Sequence, residues 1–337
     1  MSIKRMAWAG VAGMALILAA CAGGGSGDAP PAAALSPPPP PPPPPPTPQS
    51  VAGPPTAVTD FTSWANVSNP SNTRLVGLEL SSKMSQGGRA NDLIYGNWTA
   101  PVPGPTSLTI ARYGNGALYS IETTIAGEAT GSVRFGVGPD RPSACCLVDF
   151  HGMPAAVTVY NDVSDPFTGA YASGLPSTQN YQTYGFWWID GTSSNGSAVL
   201  SGFSVGAATP AANIPSSGAA QFRGGLLAKG LIGGQESLIA ANVSLDVDFA
   251  GQRAVFASSD WSTPTQFMPD TALSGLLTYA PGGNALSGTL TTANGQFSGP
   301  ATGQFYGPAA EEVGGAFYLT SGANGQDRVA GGFGAKR

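Results

Sequence analysis

The sequence predicts an all-β protein that ends in an eight-stranded antiparallel β-barrel, preceded by an irregular β-rich domain. Three observations carry this. Charged side chains are scarce, at 10% of the chain, while glycine is abundant at 48 residues, a balance that favours short strands and turns over helices. Val243-Ser244-Leu245-Asp246-Val247-Asp248-Phe249 alternates strictly, so Val, Leu, Val and Phe face one way and Ser and the two Asp the other. From residue 211 onward, eight such segments follow one another across short connections, enough strands to close an up-and-down barrel.

The eight segments are 219–229, 237–249, 252–258, 272–279, 285–292, 298–306, 314–320 and 327–335. Closure would leave no exposed sheet edge. Gly224, Gly275, Gly288, Gly303, Gly315 and Gly331 recur inside them and are read as sites of tight curvature in a small barrel. The connection Gly307-Pro308-Ala309-Ala310-Glu311-Glu312 reads as one helical turn. Proline suits its first position, and the glutamates complement its positive end.

The domain at 58–210 is less regular. Ser132–Val137 alternates with Val133, Phe135 and Val137 on one face, and Ala156–Tyr160 is a second candidate strand. Tyr184-Gly185-Phe186-Trp187-Trp188-Ile189 leads through Asn195-Gly196 into a second apolar run, the pattern of a hairpin. A short helix is expected around Thr73–Ser82.

Before the folded part lies a signal and a tether. Lys4 and Arg5 precede an apolar run at 6–18 that is too short to span a bilayer. It ends in Leu18-Ala19-Ala20-Cys21, which resembles the bacterial lipobox and implies cleavage at 1–20 and a lipid on Cys21. Two or more acyl chains make a lasting anchor. Ala22, where an aspartate would favour inner-membrane retention, points to the outer membrane. Residues 21–57 form a linker in which Pro37 to Pro46 are ten consecutive prolines, a stiff polyproline II spacer of roughly 30 Å.

Removing Lys4 and Arg5 leaves 14 − 2 = 12 basic against 19 acidic residues, a net charge of −7 with no basic patch, which argues against a nucleic-acid partner. Apart from Cys21 there are two cysteines, the adjacent Cys145 and Cys146, and a single histidine, His151. Zinc-ligand spacing is absent, and the vicinal pair is open to a strained disulfide, two buried thiols or an intermolecular bridge. No cofactor is called for. A catalytic triad would have to use His151, and there is no Gly-x-Ser-x-Gly motif. Asp246 and Asp248 lie on one strand face, where such carboxylates ordinarily solvate a surface.

FYGPAAEEVGGAFYL at 305–319 and GGFGAKR at the C-terminus resemble the β-barrel domain of transferrin-binding protein B and related surface lipoproteins, and 206–228 resembles the approach to that barrel's first strand. The resemblance implies that 58–210 is a handle-like companion domain and 211–337 the barrel. It also implies a Gram-negative surface lipoprotein that binds a host protein, a metal carrier or haem. That family has two lobes, each with handle and barrel; this chain has room for one. His151, with Tyr160 as an alternative, would be the ligand available to haem. Tyr184, Trp187 and Trp188 are candidate ligand-binding aromatics, with the two tryptophans on opposite strand faces. The expected partners are a membrane through Cys21 and a protein or small nutrient ligand; an adhesive or structural envelope protein is the alternative.

Replacing Cys21 with serine should abolish palmitate labelling and move the protein from the membrane pellet to the supernatant.

Overall fold

The computed structural model describes residues 59–63, 73–90, 93–113, 116–123, 131–137, 147–150, 153–160, 179–189, 198–263, 265–322 and 325–337. Cys21 with the signal and linker, Cys145, Cys146 and His151 lie outside them. Residues 52–337 form one unit built of two ten-stranded sheets.

The first sheet contains β1 (Thr59–Asp60), β2 (Thr73–Ala90), β3 (Leu93–Trp98), β4 (Val102–Tyr113), β5 (Gly116–Thr123), β6 (Gly131–Val137), β7 (Leu147–Phe150), β8 (Met153–Tyr160), β9 (Gln182–Ile189) and β10 (Val199–Gly206). Pairing runs β2-β10-β9-β8-β7-β6-β5-β4, and β4 pairs β2 again, so eight strands form a ring. The expected helix around Thr73–Ser82 is instead the first half of β2. Leu75, Val76, Leu78 and Leu80 mimic helical spacing, but they divide between the two faces of an extended strand. Leu75 is buried opposite Leu108 of β4, whereas Leu80 packs in a cluster with barrel residues.

The second sheet contains β11 (Ala219–Ile232), β12 (Gln235–Asp248), β13 (Arg253–Ser258), β14 (Trp261–Ser262), β15 (Phe267–Met268), β16 (Leu273–Thr278), β17 (Ala285–Thr292), β18 (Phe297–Tyr306), β19 (Glu312–Ser321) and β20 (Arg328–Lys336). Eight of them pair in the order β11-β20-β19-β18-β17-β16-β13-β12, and β12 pairs β11, closing the barrel. The predicted strands are present with ends displaced by a few residues. The β14–β15 hairpin is additional: Trp261 is buried against Phe297, with ring centroids 5.6 Å apart.

Inward positions fill the barrel. Phe222, Phe256, Phe305, Phe317 and Phe333 are buried in one cluster, and eight strands leave an interior that such side chains can occupy. Each full burial contributes about 1.5–3 kcal/mol. On β12, β13 and β16, outward Asp246, Arg253 and Thr278 are solvent-exposed. An apolar inside and polar outside is the reverse of a membrane-spanning barrel.

The outward faces of β19 and β20 are different. Gly314, Ala316 and Tyr318, with Ala330, Gly332 and Gly334, are all buried, although their strands already cover the barrel core with the other face. They are covered by β2, β9 and β10 of the first sheet. The sheets approach so closely that a Cβ on Gly202 would lie 2.1 Å from the Gly331 carbonyl oxygen, and one on Gly332 2.2 Å from the Phe203 oxygen. These two glycines therefore permit contact between two backbones.

Gly202→Ala should destabilise the protein by about 1–3 kcal/mol, because only backbone lies in the way of the new methyl group. The exposed Thr289→Ala should change stability by less than about 0.5 kcal/mol. Urea denaturation of the two variants checks this.

Candidate functional site

The candidate site is the junction between the two sheets and the segments around it. Its middle is dry. Leu80, Met84, Ala198 and Leu200 pack against Leu231, Ala316, Tyr318 and Ala330. At one side, two barrel cations lie over indoles of the first sheet. Lys229 Nζ is 4.3 Å from the centre of the Trp188 ring, and the Arg328 guanidinium is 4.3 Å from that of Trp98. Such contacts are each worth about 0.5–2 kcal/mol, more as water is excluded. Lys229 also pairs Glu236 at 2.9 Å. Arg328 is buried, donating to the carbonyls of Gln326 and Gly325 at 2.9 Å each.

The other side is polar and centres on the turn between β18 and β19. Gly307 has φ 87° and Ala310 φ 59°, so the segment reverses through left-handed conformations and is not the expected helical turn. Three other segments make hydrogen bonds with it. Gly307 N donates to Ala207 O at 2.8 Å, Asn213 Nδ2 donates to Pro308 O at 3.0 Å, and the Arg337 guanidinium donates to Ala309 O at 2.7 Å. Glu311 turns back onto the N–H of Ala309 at 2.8 Å.

Glu312 is the correction of most consequence. Instead of complementing a helix end it is the first residue of β19, 1% exposed, and points across the junction. One carboxylate oxygen accepts the N–H of Asn180 and the other that of Tyr181, the latter at 3.1 Å. Next to it, Gln182 Nε2 donates to Val313 O at 3.1 Å, and Ser204 Oγ donates to Gln182 Oε1 at 3.2 Å. The hydroxyls of Ser204 and Tyr306 share a hydrogen bond of 2.8 Å. A signal for Glu312 was present in the sequence. It is the one acidic residue in an outward series that continues Gly314, Ala316, and a carboxylate among such small residues has to find donors when it is covered.

The aromatic candidates divide by strand parity. Tyr184 is buried on the junction side, beside Leu227 of the barrel. Trp187 is buried on the opposite face of β9, its indole N–H directed to Glu79 Oε2 at 3.3 Å. Trp188 is half-buried under Lys229. His151 lies outside the described residues.

The exposed half of the barrel carries two shallow depressions. One, of about 460 Å³, has Val255 and Leu276 at its floor, each 50% exposed and directly opposite one another across β13 and β16. The other, of about 550 Å³, is lined by Arg223, Asn242 and Ser258. Asp246 accepts from Gln221 Nε2 at 2.9 Å, and Asp248 pairs Arg253 at 3.1 Å. The Gly251 N–H, with Arg253 adding to it, holds the Asp248 carboxyl below the ordinary aspartate value. These are surface partners in a polar strand face, without a nucleophile or base beside them among the described residues.

Residues 214–337 match the family model described as the C-lobe and N-lobe beta barrels of Tf-binding protein B. The barrel region is thus similar to the barrels of that family. Among solved structures, it is similar to a mutant of the vaccine antigen transferrin-binding protein B from Haemophilus parasuis. Identity there is 13%, over 79% of this chain and 76% of that one, with a TM-score of 0.36. It is also similar to the isotype 1 transferrin-binding protein B from serogroup B Neisseria meningitidis, at 10% identity over 80% and 77% of the two chains and a TM-score of 0.36. No curated protein matches.

Burial raises the pKa of the Tyr306 hydroxyl above the ordinary 10.0, and that of Tyr318 likewise. Both hydroxyls are therefore harder to ionise in the folded chain than in the unfolded one. Their contribution to stability is fully present below about pH 10 and is lost as pH rises above it, because the unfolded chain releases protons first. In a Tyr306→Phe, Tyr318→Phe variant the fall of unfolding free energy above pH 10 should be shallower than in the wild type, as measured by denaturation at a series of alkaline pH values.

Proposed function

We propose that the chain is a lipid-anchored outer-membrane surface protein that works as a binding module for a protein or small nutrient ligand, and that it is not an enzyme. The observation that carries this reading is the match of its barrel to the barrels of a transferrin-binding protein. The architecture is consistent with it. A polar-surfaced, side-chain-filled barrel is a support and not a vessel, and the first sheet is seated on it through a face with almost no freedom to slide. Such a support holds a recognition surface at fixed geometry, which reduces the ordering cost of binding.

The anchor in this proposal is Cys21, and the run Pro37 to Pro46 holds the folded part off the membrane. A host protein, a metal carrier or haem is the class of ligand that the family relationship suggests. Of the three aromatic candidates, Trp188 is the one that keeps partial exposure, so it is the one we retain as a contact residue; Tyr184 and Trp187 support the strand that presents it.

Protease treatment of intact cells carrying a C-terminally tagged copy tests the surface placement, with lysed cells as the control. Loss of the tag on intact cells is the expected result. Protection until lysis would overturn the surface reading and direct the search to periplasmic partners.

A further inference from the structure

We propose that Glu312 is an acid-released latch that ties the start of β9 to the barrel. The argument begins with donor and acceptor inventory. An ionised carboxylate only accepts, and here both oxygens face backbone N–H donors, those of Asn180 and Tyr181. A protonated carboxyl has an O–H on one oxygen. Placed against an N–H, that oxygen becomes a donor facing a donor, and one of the two N–H groups loses its partner while the other carboxyl oxygen still accepts. Buried hydrogen bonds to a charged group are the costly ones to lose. Glu312 is 1% exposed, so water has little access to the carboxyl itself, while Asn180 is exposed and Tyr181 half-buried.

The surroundings make the carboxyl the responsive group. From β18, Tyr306 lies opposite it, with a hydroxyl that burial keeps neutral far into the alkaline range. From β20, the basic Lys336 lies opposite. In the turn, Glu311 is occupied by the Ala309 N–H, and Arg337 donates its own N–H to the Glu311 carbonyl at 3.2 Å. From the first sheet, Gln182 donates to the neighbouring Val313 O and to Gln179, and the Tyr181 ring lies by Gly307 in the turn; the two amide side chains carry no charge at any pH. The latch also has something to release. Tyr181 O accepts the N–H of Ala207, and Ala207 O accepts the N–H of Gly307, so the first turn of β9, the end of β10 and the β18–β19 turn are held as one chain of hydrogen bonds.

Acidification of the full chain, followed residue by residue with NMR, tests the proposal. The Glu312 side-chain carboxyl carbon and the amides of Asn180 and Tyr181 should shift together at one pH, and the amide that faces the protonated oxygen should lose exchange protection about tenfold or more. Amides in β16 and β17 should keep theirs through that step. In Glu312→Gln, a neutral isostere of the protonated carboxyl, one of the two amides should be unprotected already at neutral pH and the acid step should be absent. The proposal is overturned if the amides shift at a different pH from the carboxyl, if Glu312→Gln protects them like the wild type, or if β16 and β17 open in the same step. Should Glu312→Gln fail to fold, the wild-type titration alone decides between these outcomes.

Discussion

The structure depends on one contact, the packing of β2, β9 and β10 onto the outward face of β19 and β20. A barrel strand normally has one face in the core and one in water, and β12 obeys this. The last two strands have no water face. Their outward positions are small because a second backbone lies directly against them, and at Gly202 and Gly332 even a methyl group has no place. Contact between sheets at this distance yields little apolar area per residue, but it fixes register. Neither sheet can slide or rotate without driving a Cβ or a carbonyl into its neighbour.

The two sides of the contact deal with polarity in different ways. Trp98 and Trp188 accept the charges of Arg328 and Lys229 on their ring faces, which lets long basic side chains end at the rim of a dry surface. At the other side, the turn that begins at Gly307 gathers the end of β10, the linking segment at Asn213 and the chain terminus at Arg337. Glu312 then supplies what the sheet cannot, acceptors for two successive N–H groups that precede β9. A side chain reaching from the barrel thus pairs backbone donors at the entry to the first sheet's β9.

The barrel was legible because strand, turn and burial signals agree there. Val243 to Phe249 alternate, and Ala250-Gly251-Gln252 supply a turn, with Gln252 at φ 47°. Where a second layer covers a strand, alternation disappears and the reading fails. Leu75 to Leu80 looked helical because both faces of β2 take apolar residues, and Glu79 is buried among them beside Trp187. Gly332 carries no such signal: a sequence records that a side chain is absent, not that the Phe203 carbonyl of another sheet forbids it. Trp187 and Trp188 were assigned to opposite faces by parity alone, whereas what each face meets required the pairing of β9 with β10 and the seat on the barrel. Glu312 was noticed but misassigned, since a glutamate near a proline has a ready local explanation and its real partners are more than a hundred residues distant.

The central claim is that the two sheets stand or fall together through this contact. Native-state hydrogen exchange of the full chain in rising denaturant addresses it most directly. Amides of β9 and β10 and amides of β19 and β20 should converge on one opening free energy with one denaturant dependence, as a single cooperative unit requires. Loss of protection in β9 and β10 at clearly lower denaturant, while β19 and β20 remain closed, would contradict the account: the barrel would then be stable with its glycine- and alanine-rich face uncovered.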